Sequence, residues 1–158
     1  MPTVSSTDFP ARMELLHFEA GAAVVKPAGT NYQVKLAVPA EFSYPATGRA
    51  YGLVRATARK LWTVTSGGNF VAPIFGPPRI VQGRVRYLDA TSMVVGCGFP
   101  VIVTLPASDS AFDLAGGALA VGALVNVTLL PGATFEAVAA PAPVSAAFVP
   151  VTGTAASA

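Results

Sequence analysis

Residues 89–107 read DATSMVVGCGFPVIVTLPA, and residues 19–40 read EAGAAVVKPAGTNYQVKLAVPA. Each stretch opens on an acid and an alanine, reaches a Val-Val pair and breaks at glycine. Each then resumes as an alternating apolar run and ends in Pro-Ala. A shift of about 70 residues places Glu19, Ala20, Val24 and Val25 on Asp89, Ala90, Val94 and Val95. After a three-residue deletion, Val34, Leu36, Val38 and Pro39 fall on Val101, Val103, Leu105 and Pro106. With those three residues restored, Gly52 falls on Gly122. An internal duplication would explain the correspondence: in both places the valines and the alternating run supply inward-facing side chains. The proline then ends the ladder because it has no amide proton to donate.

The rest of the chain reads as strand. Fourteen prolines and fifteen glycines leave few stretches long enough for a stable helix. In Tyr32–Val38 the residues Tyr32, Val34, Leu36 and Val38 alternate with Gln33, Lys35 and Ala37, so one face is expected in the core and one in water. Val81, Gly83, Val85 and Tyr87 alternate in the same way with Gln82, Arg84 and Arg86. Further strands are expected at 61–65, 69–75, 99–105, 124–130 and 133–138. Ser-Gly-Gly at 66–68 and Pro-Gly at 131–132 read as hairpin turns joining their neighbours.

The fold class is therefore all-β. Two small barrel units of the oligonucleotide-binding (OB) or SH3 kind, at 12–78 and 79–138, fit the repeat. One jelly roll or sandwich spanning both halves fits the same pattern. Residues 1–11 read as an N-terminal arm. Residues 139–158, AAPAPVSAAFVPVTGTAASA, carry no charge and read as a Pro/Ala-rich C-terminal arm, extended or disordered, with Phe148, Val149 and Val151 as its apolar contacts for assembly.

Composition narrows function more than any motif does. Hydrophobic residues make up 53% of the chain and charged residues 11%, against about 25% charged in a typical soluble domain. Such a chain cannot cover itself densely with charge, and large exposed apolar patches mark interaction surfaces. The single cysteine, Cys97, excludes an intramolecular disulfide and reads as a small buried hydrophobe. The start, MPTVSSTDFPARMELL, has no basic segment followed by an apolar core, so no secretory signal is expected. Leu114 to Phe135 is free of charge and long enough to cross a bilayer. Its glycines, Asn126 and Pro131 interrupt it, and alternation at 124–130 favours a strand over a membrane span.

No catalytic, cofactor or metal site is expected. His17 is the only histidine, and no cluster of His, Cys and carboxylate ligands has metal-site spacing. No glycine-rich loop precedes a helix, and Asp109 and Asp113 read as turn residues. The strongest polar signal is a charge asymmetry. Between Phe42 and Leu88 there is no acid, yet seven of the ten basic residues lie there. Arg49, Arg55, Arg59, Lys60, Arg84 and Arg86, interleaved with aromatics including Trp62, form a candidate contact band for nucleic acid or an acidic partner. Alternation places Arg55 and Arg59 on one strand face.

These features point to a non-enzymatic, self-assembling structural protein, with a virion component such as a phage capsid, decoration or tail subunit as the leading kind. Its partners would be copies of itself or other structural subunits. The alternative is an OB-like single-stranded nucleic-acid-binding protein that uses the band at 49–87.

Overall fold

The computed structural model describes residues 4–19, 21–39, 42 and 48–139. The C-terminal arm, with Phe148, Val149 and Val151, lies outside the described residues.

The chain is all-β: twelve strands join in one mixed sheet, with short 3-10 turns at Ser6–Asp8 and Asp109–Ala111. In chain order the strands are β1 (Ala11–Glu19), β2 (Ala22–Pro27), β3 (Gln33–Ala37), β4 (Arg49–Thr63), β5 (Phe70–Ala72) and β6 (Phe75–Gly76). They continue as β7 (Ile80–Leu88), β8 (Ser92–Gly96), β9 (Pro100–Thr104), β10 (Phe112–Asp113), β11 (Leu124–Leu129) and β12 (Thr134–Val138).

The fifteen-residue β4 organises the sheet. Its first half pairs antiparallel with β1 and with β12. Its second half pairs antiparallel with β11 and parallel with β10, and its middle pairs parallel with β9. Two circuits of pairing result. One runs β4–β1–β2–β3–β12–β4, with a single parallel bridge, Thr134 to Ala37, between β3 and β12. The other runs β4–β9–β8–β7–β11–β4. Residues 12–78 and 79–138 thus each supply three consecutive strands to one circuit. The remaining strands, β4 and the end-to-end pair β11 and β12, cross the boundary between those halves.

The registers of the two three-strand runs correspond. Leu15 stands opposite Val25, and after a bulge His17 stands opposite Val24. Val85 stands opposite Val95, and after a bulge Tyr87 stands opposite Val94. On the following strands, Val25 meets Val34 and Val95 meets Val101. Of these positions, Val24, Val25 and Val34 were matched from sequence to Val94, Val95 and Val101. The glycine match is corrected. Gly52 pairs with Ala11, and the corresponding β7 position, Val81, pairs with Val127 rather than Gly122. Gly122 lies outside the strand, where its amide donates to the Val85 carbonyl at 2.8 Å.

Both expected hairpins are also corrected. β5 pairs with β7, not β4, and β11 and β12 lie one after the other along β4 instead of against each other. Ser-Gly-Gly and Pro-Gly bend the chain, but the partner of each strand is a distant one. At 131–132 the bend uses Gly132 at φ 103°, a conformation that costs glycine little.

One cluster of buried side chains runs through both circuits. It includes Met13, Val25 and Leu36 from the first three strands, Leu61 from β4, and Val95 and Phe135. Phe135 is fully buried, a burial that contributes about 2–3 kcal/mol. Its ring occupies the space where a side chain at Gly52 would begin, so glycine is required there for the two strands to approach.

A second, smaller cluster forms on the outer face from Leu53, Val94 and Ile102. Phe9 covers it, with its ring centroid 6.1 Å from that of Tyr87. Within the segment read as an N-terminal arm, Phe9 is the residue that packs on the body, while Val4, Thr7 and Asp8 are exposed. The outward apolar patch gives Phe9 a dry contact. The Asp8 carboxylate accepts the Ser5 amide at 2.8 Å and closes the short turn before it.

Candidate functional site: a dispersed basic band

β4 carries most of the band. Its core-facing residues are Val54, Ala56, Ala58 and Leu61. Ala56 to Ala58 keep period two, but the next core residue is Leu61, three further on. The β11 pairing shows the cause: Thr128 stands opposite Lys60 and Leu129 opposite Ala58, leaving Arg59 as the extra residue of a bulge. A bulge re-aims the side chain it inserts. Up to the bulge the alternation holds: Arg55, Thr57 and Arg59 face away from the buried Val54, Ala56 and Ala58, and the phase changes only between Arg59 and Leu61. Lys60, with Trp62 two residues on, continues the outward face.

The basic residues divide by what they touch. The Arg55 guanidinium forms an ion pair with the Glu136 carboxylate. The Arg84 Nη1 donates to the Gly122 carbonyl at 2.9 Å. The Arg86 guanidinium lies 5.9 Å from the centre of the Phe9 ring, within the range of a cation–π contact. Arg49 stands opposite Glu14 at the start of β4. Among the described residues, the side chains of Arg59, Lys60 and Arg79 have no ion pair and no hydrogen bond. Trp62 is half-buried, opposite Asn126 on β11 and beside Asp113 on β10. The band is therefore not one continuous stripe.

Two surface clefts border it. The larger, about 570 Å³, is lined by Arg12, Glu14, Lys26, Arg49 and Tyr51 among others. Its charge is mixed, with Lys26 Nζ 3.8 Å from Glu14 Oε1. The smaller, about 380 Å³, is lined by Arg59, Arg79, Thr128 and the apolar Ala72, Pro73, Ile80 and Leu129. No carboxylate lines it. Arg79 was not among the contact residues expected from sequence. It lies in the Gly-Pro-Pro-Arg segment before β7, outside any alternating run, and its only signal was membership of the acid-free stretch.

The remaining titratable groups serve turns and core. The Asp89 carboxylate accepts the Tyr87 hydroxyl at 2.7 Å and the amides of Thr91 at 2.9 Å and Ser92 at 2.8 Å. Those bonds, the Tyr87 hydroxyl first, hold its carboxyl well below the usual range, and the same bond raises the Tyr87 phenol. Lys35, at 2.8 Å, holds Glu19 below its ordinary value. Burial pushes the Cys97 thiol up to about 12. Among the described residues, no group of three His, Cys, Asp or Glu side chains is placed to hold a metal ion. Among the same residues, no helix is long and apolar enough to cross a membrane.

No family model, curated protein or solved structure matches the chain.

Proposed function

We propose that the chain is a structural subunit that assembles with copies of itself, and that a virion component (capsid, decoration or tail) is the kind of assembly it serves. The supporting observation is the segment from β5 to β6. Among the described residues, β5 has one strand partner, β7, and β6 has one, β3. Between and on them, Ile74 is 54% exposed and Phe75 64% exposed. Single exposed hydrophobes are ordinary, but two consecutive ones beside short strands with an unpaired edge suit strand addition or apolar docking. Phe18, also exposed, stacks on Phe42 and extends the outward apolar surface elsewhere. A chain with 11% charged residues has little means of keeping such surface solvated. In this reading the occupant is a second copy, with the uncharged segment at 139–158 as an added contact.

Replacement of Ile74 and Phe75 by serine tests the reading. The variant is expected to lower the assembled mass in light scattering while leaving the far-UV spectrum unchanged. An unchanged mass distribution argues against this surface.

The second reading is single-stranded nucleic-acid binding. It is favoured by one observation: Lys60 and Trp62 lie two residues apart on the outward face of β4, and no acid pairs with Lys60 among the described residues. A cation beside an aromatic ring is the unit that holds a phosphate and stacks a base. Oligonucleotide binding at two salt concentrations tests it, because phosphate contacts weaken steeply as salt rises.

A further inference from the structure

The 380 Å³ cleft between the β4 bulge and the start of β7 is lined by Arg59 and Arg79, two arginines whose side chains have no ion pair or hydrogen bond among the described residues. We propose that this cleft binds a phosphate group, held by Arg59 and Arg79. The site goes beyond the assembly reading and does not depend on it; it gives the nucleic-acid reading one defined location.

Three features carry the inference. The first is placement. Arg59, the extra residue of the bulge between Ala58 and Lys60, faces outward and lines the same cleft as Arg79. Backbone bonds fix both rims: the Arg79 amide donates to Ala72 at 2.9 Å, and the Leu129 amide donates to the Arg79 carbonyl at 2.8 Å. The second is charge. Of the described carboxylates, Glu14, Glu19 and Glu136 are paired with Lys26, Lys35 and Arg55; Asp8, Asp89 and Asp113 accept nearby backbone amides; and Asp109 lies in the 3-10 turn at Asp109–Ala111. None lines the cleft. The third is the lining. Ala72, Pro73, Ile80 and Leu129 supply apolar wall beside the two arginines. The forked guanidinium matches the oxygens of a phosphate in a bidentate arrangement. The half-buried Thr128 adds a hydroxyl to the lining, at 3.4 Å from the Lys60 carbonyl. The cleft lies in the size range of small-ligand sites.

Two sources present this chemistry: a free phosphate or phosphate monoester, and the phosphodiester backbone of a nucleic-acid strand. Lys60 stands opposite Thr128 and Trp62 opposite Asn126 on the same ribbon. Trp62 is thus about 7 Å further along β4 than Lys60, a spacing that would let a base stack while its phosphate sits in the cleft.

The test is titration of the full chain with inorganic phosphate and, separately, with a single-stranded oligothymidylate. Binding is followed by amide chemical shifts and by calorimetry, in wild type, Arg59→Ala, Arg79→Ala, Arg59→Lys and Arg79→Lys. The expected result is a shift of the Ile80 and Thr128 amides on ligand addition. A loss of about tenfold or more in affinity is expected in each alanine variant, with partial recovery in the lysine variants. Binding of inorganic phosphate identifies a free-anion site. Binding of the oligonucleotide alone, with a salt slope reduced by about 0.7 for each arginine lost, identifies a strand-backbone site. The proposal is overturned if neither ligand binds, if the shifts cluster away from this cleft, or if folded variants bind as well as wild type. An assembled particle that binds neither inorganic phosphate nor the oligonucleotide would sink this inference and leave the assembly reading standing.

Discussion

Leu15 and Val85 hold equivalent places in two separate strand pairings. Each faces a valine, Val25 or Val95, and each is followed by a one-residue bulge. The coincidence extends one strand further, through Val34 and Val101. Two short meanders with one register are therefore built onto a shared ribbon, β4 against β11 and β12. The ribbon ties the meanders into one sheet and one core, so damage to the ribbon is expected to destabilise both together.

Gly52→Ala tests the tightest contact on that ribbon. A Cβ at this position would strike the Phe135 ring and approach the Glu136 carbonyl at 2.9 Å. Overpacking of a filled core costs about 1–3 kcal/mol, and the whole chain is expected to melt earlier in a single transition. Phe135→Leu in the Gly52→Ala background should recover part of the loss. If Gly52→Ala melts like wild type, the close approach is not real.

Removal of residues 1–9 is expected to uncover Leu53, Val94 and Ile102. Phe9 packs on this cluster and lies beneath Arg86. The truncated chain should bind more of a hydrophobic dye and show lower stability, with Phe9→Ala giving a smaller change in the same direction. Equal dye binding in all three proteins would mean that the segment does not shield the patch.

Asp89→Asn is expected to flatten the acid limb of the stability profile. The folded-state carboxyl of Asp89 is held below its ordinary value by the Tyr87 hydroxyl and the turn amides. Its contribution is therefore present above the unfolded value, about 3.9, and is lost as pH falls from there toward the folded value. Wild type should lose stability on acidification below about pH 4 more steeply than the variant. Parallel acid limbs in urea titrations would show that the turn does not hold the charge.

The thiol of Cys97 is expected to resist modification in the folded chain. It is buried, its Sγ lies 3.4 Å from the Phe99 carbonyl, and burial raises its ionisation to about 12. The thiolate is the reactive form, so labelling with a thiol reagent should wait for unfolding. Rapid labelling under native conditions would contradict the buried placement.

The strands easiest to read in the sequence were those whose large apolar residues alternate with polar ones. β3 and β7 announce themselves through Val34 and Leu36, and through Val81 and Val85. β4 was bounded as a strand only from Leu61 onward, with alternation read further back at Arg55 and Arg59, although it begins at Arg49. Its inward positions include Ala56 and Ala58, which give a weak hydrophobic signal, and the bulge at Arg59 resets the phase. Local turn chemistry at 66–68 and 131–132 located the bends. It could not supply the strand partners, because those are set by packing against distant segments. The basic band was legible as composition, but its division was not. Glu136 is 81 residues from Arg55, and Phe9 reaches Arg86 from the other end of the chain. Only the folded arrangement shows which arginines are already occupied.

The most direct test of the assembly reading is the mass of the full chain in solution, followed by light scattering across a dilution series. The account predicts a species heavier than one chain that dissociates on dilution or on replacement of Ile74 and Phe75 by serine. A particle that stays at 16.0 kDa at every concentration would contradict it.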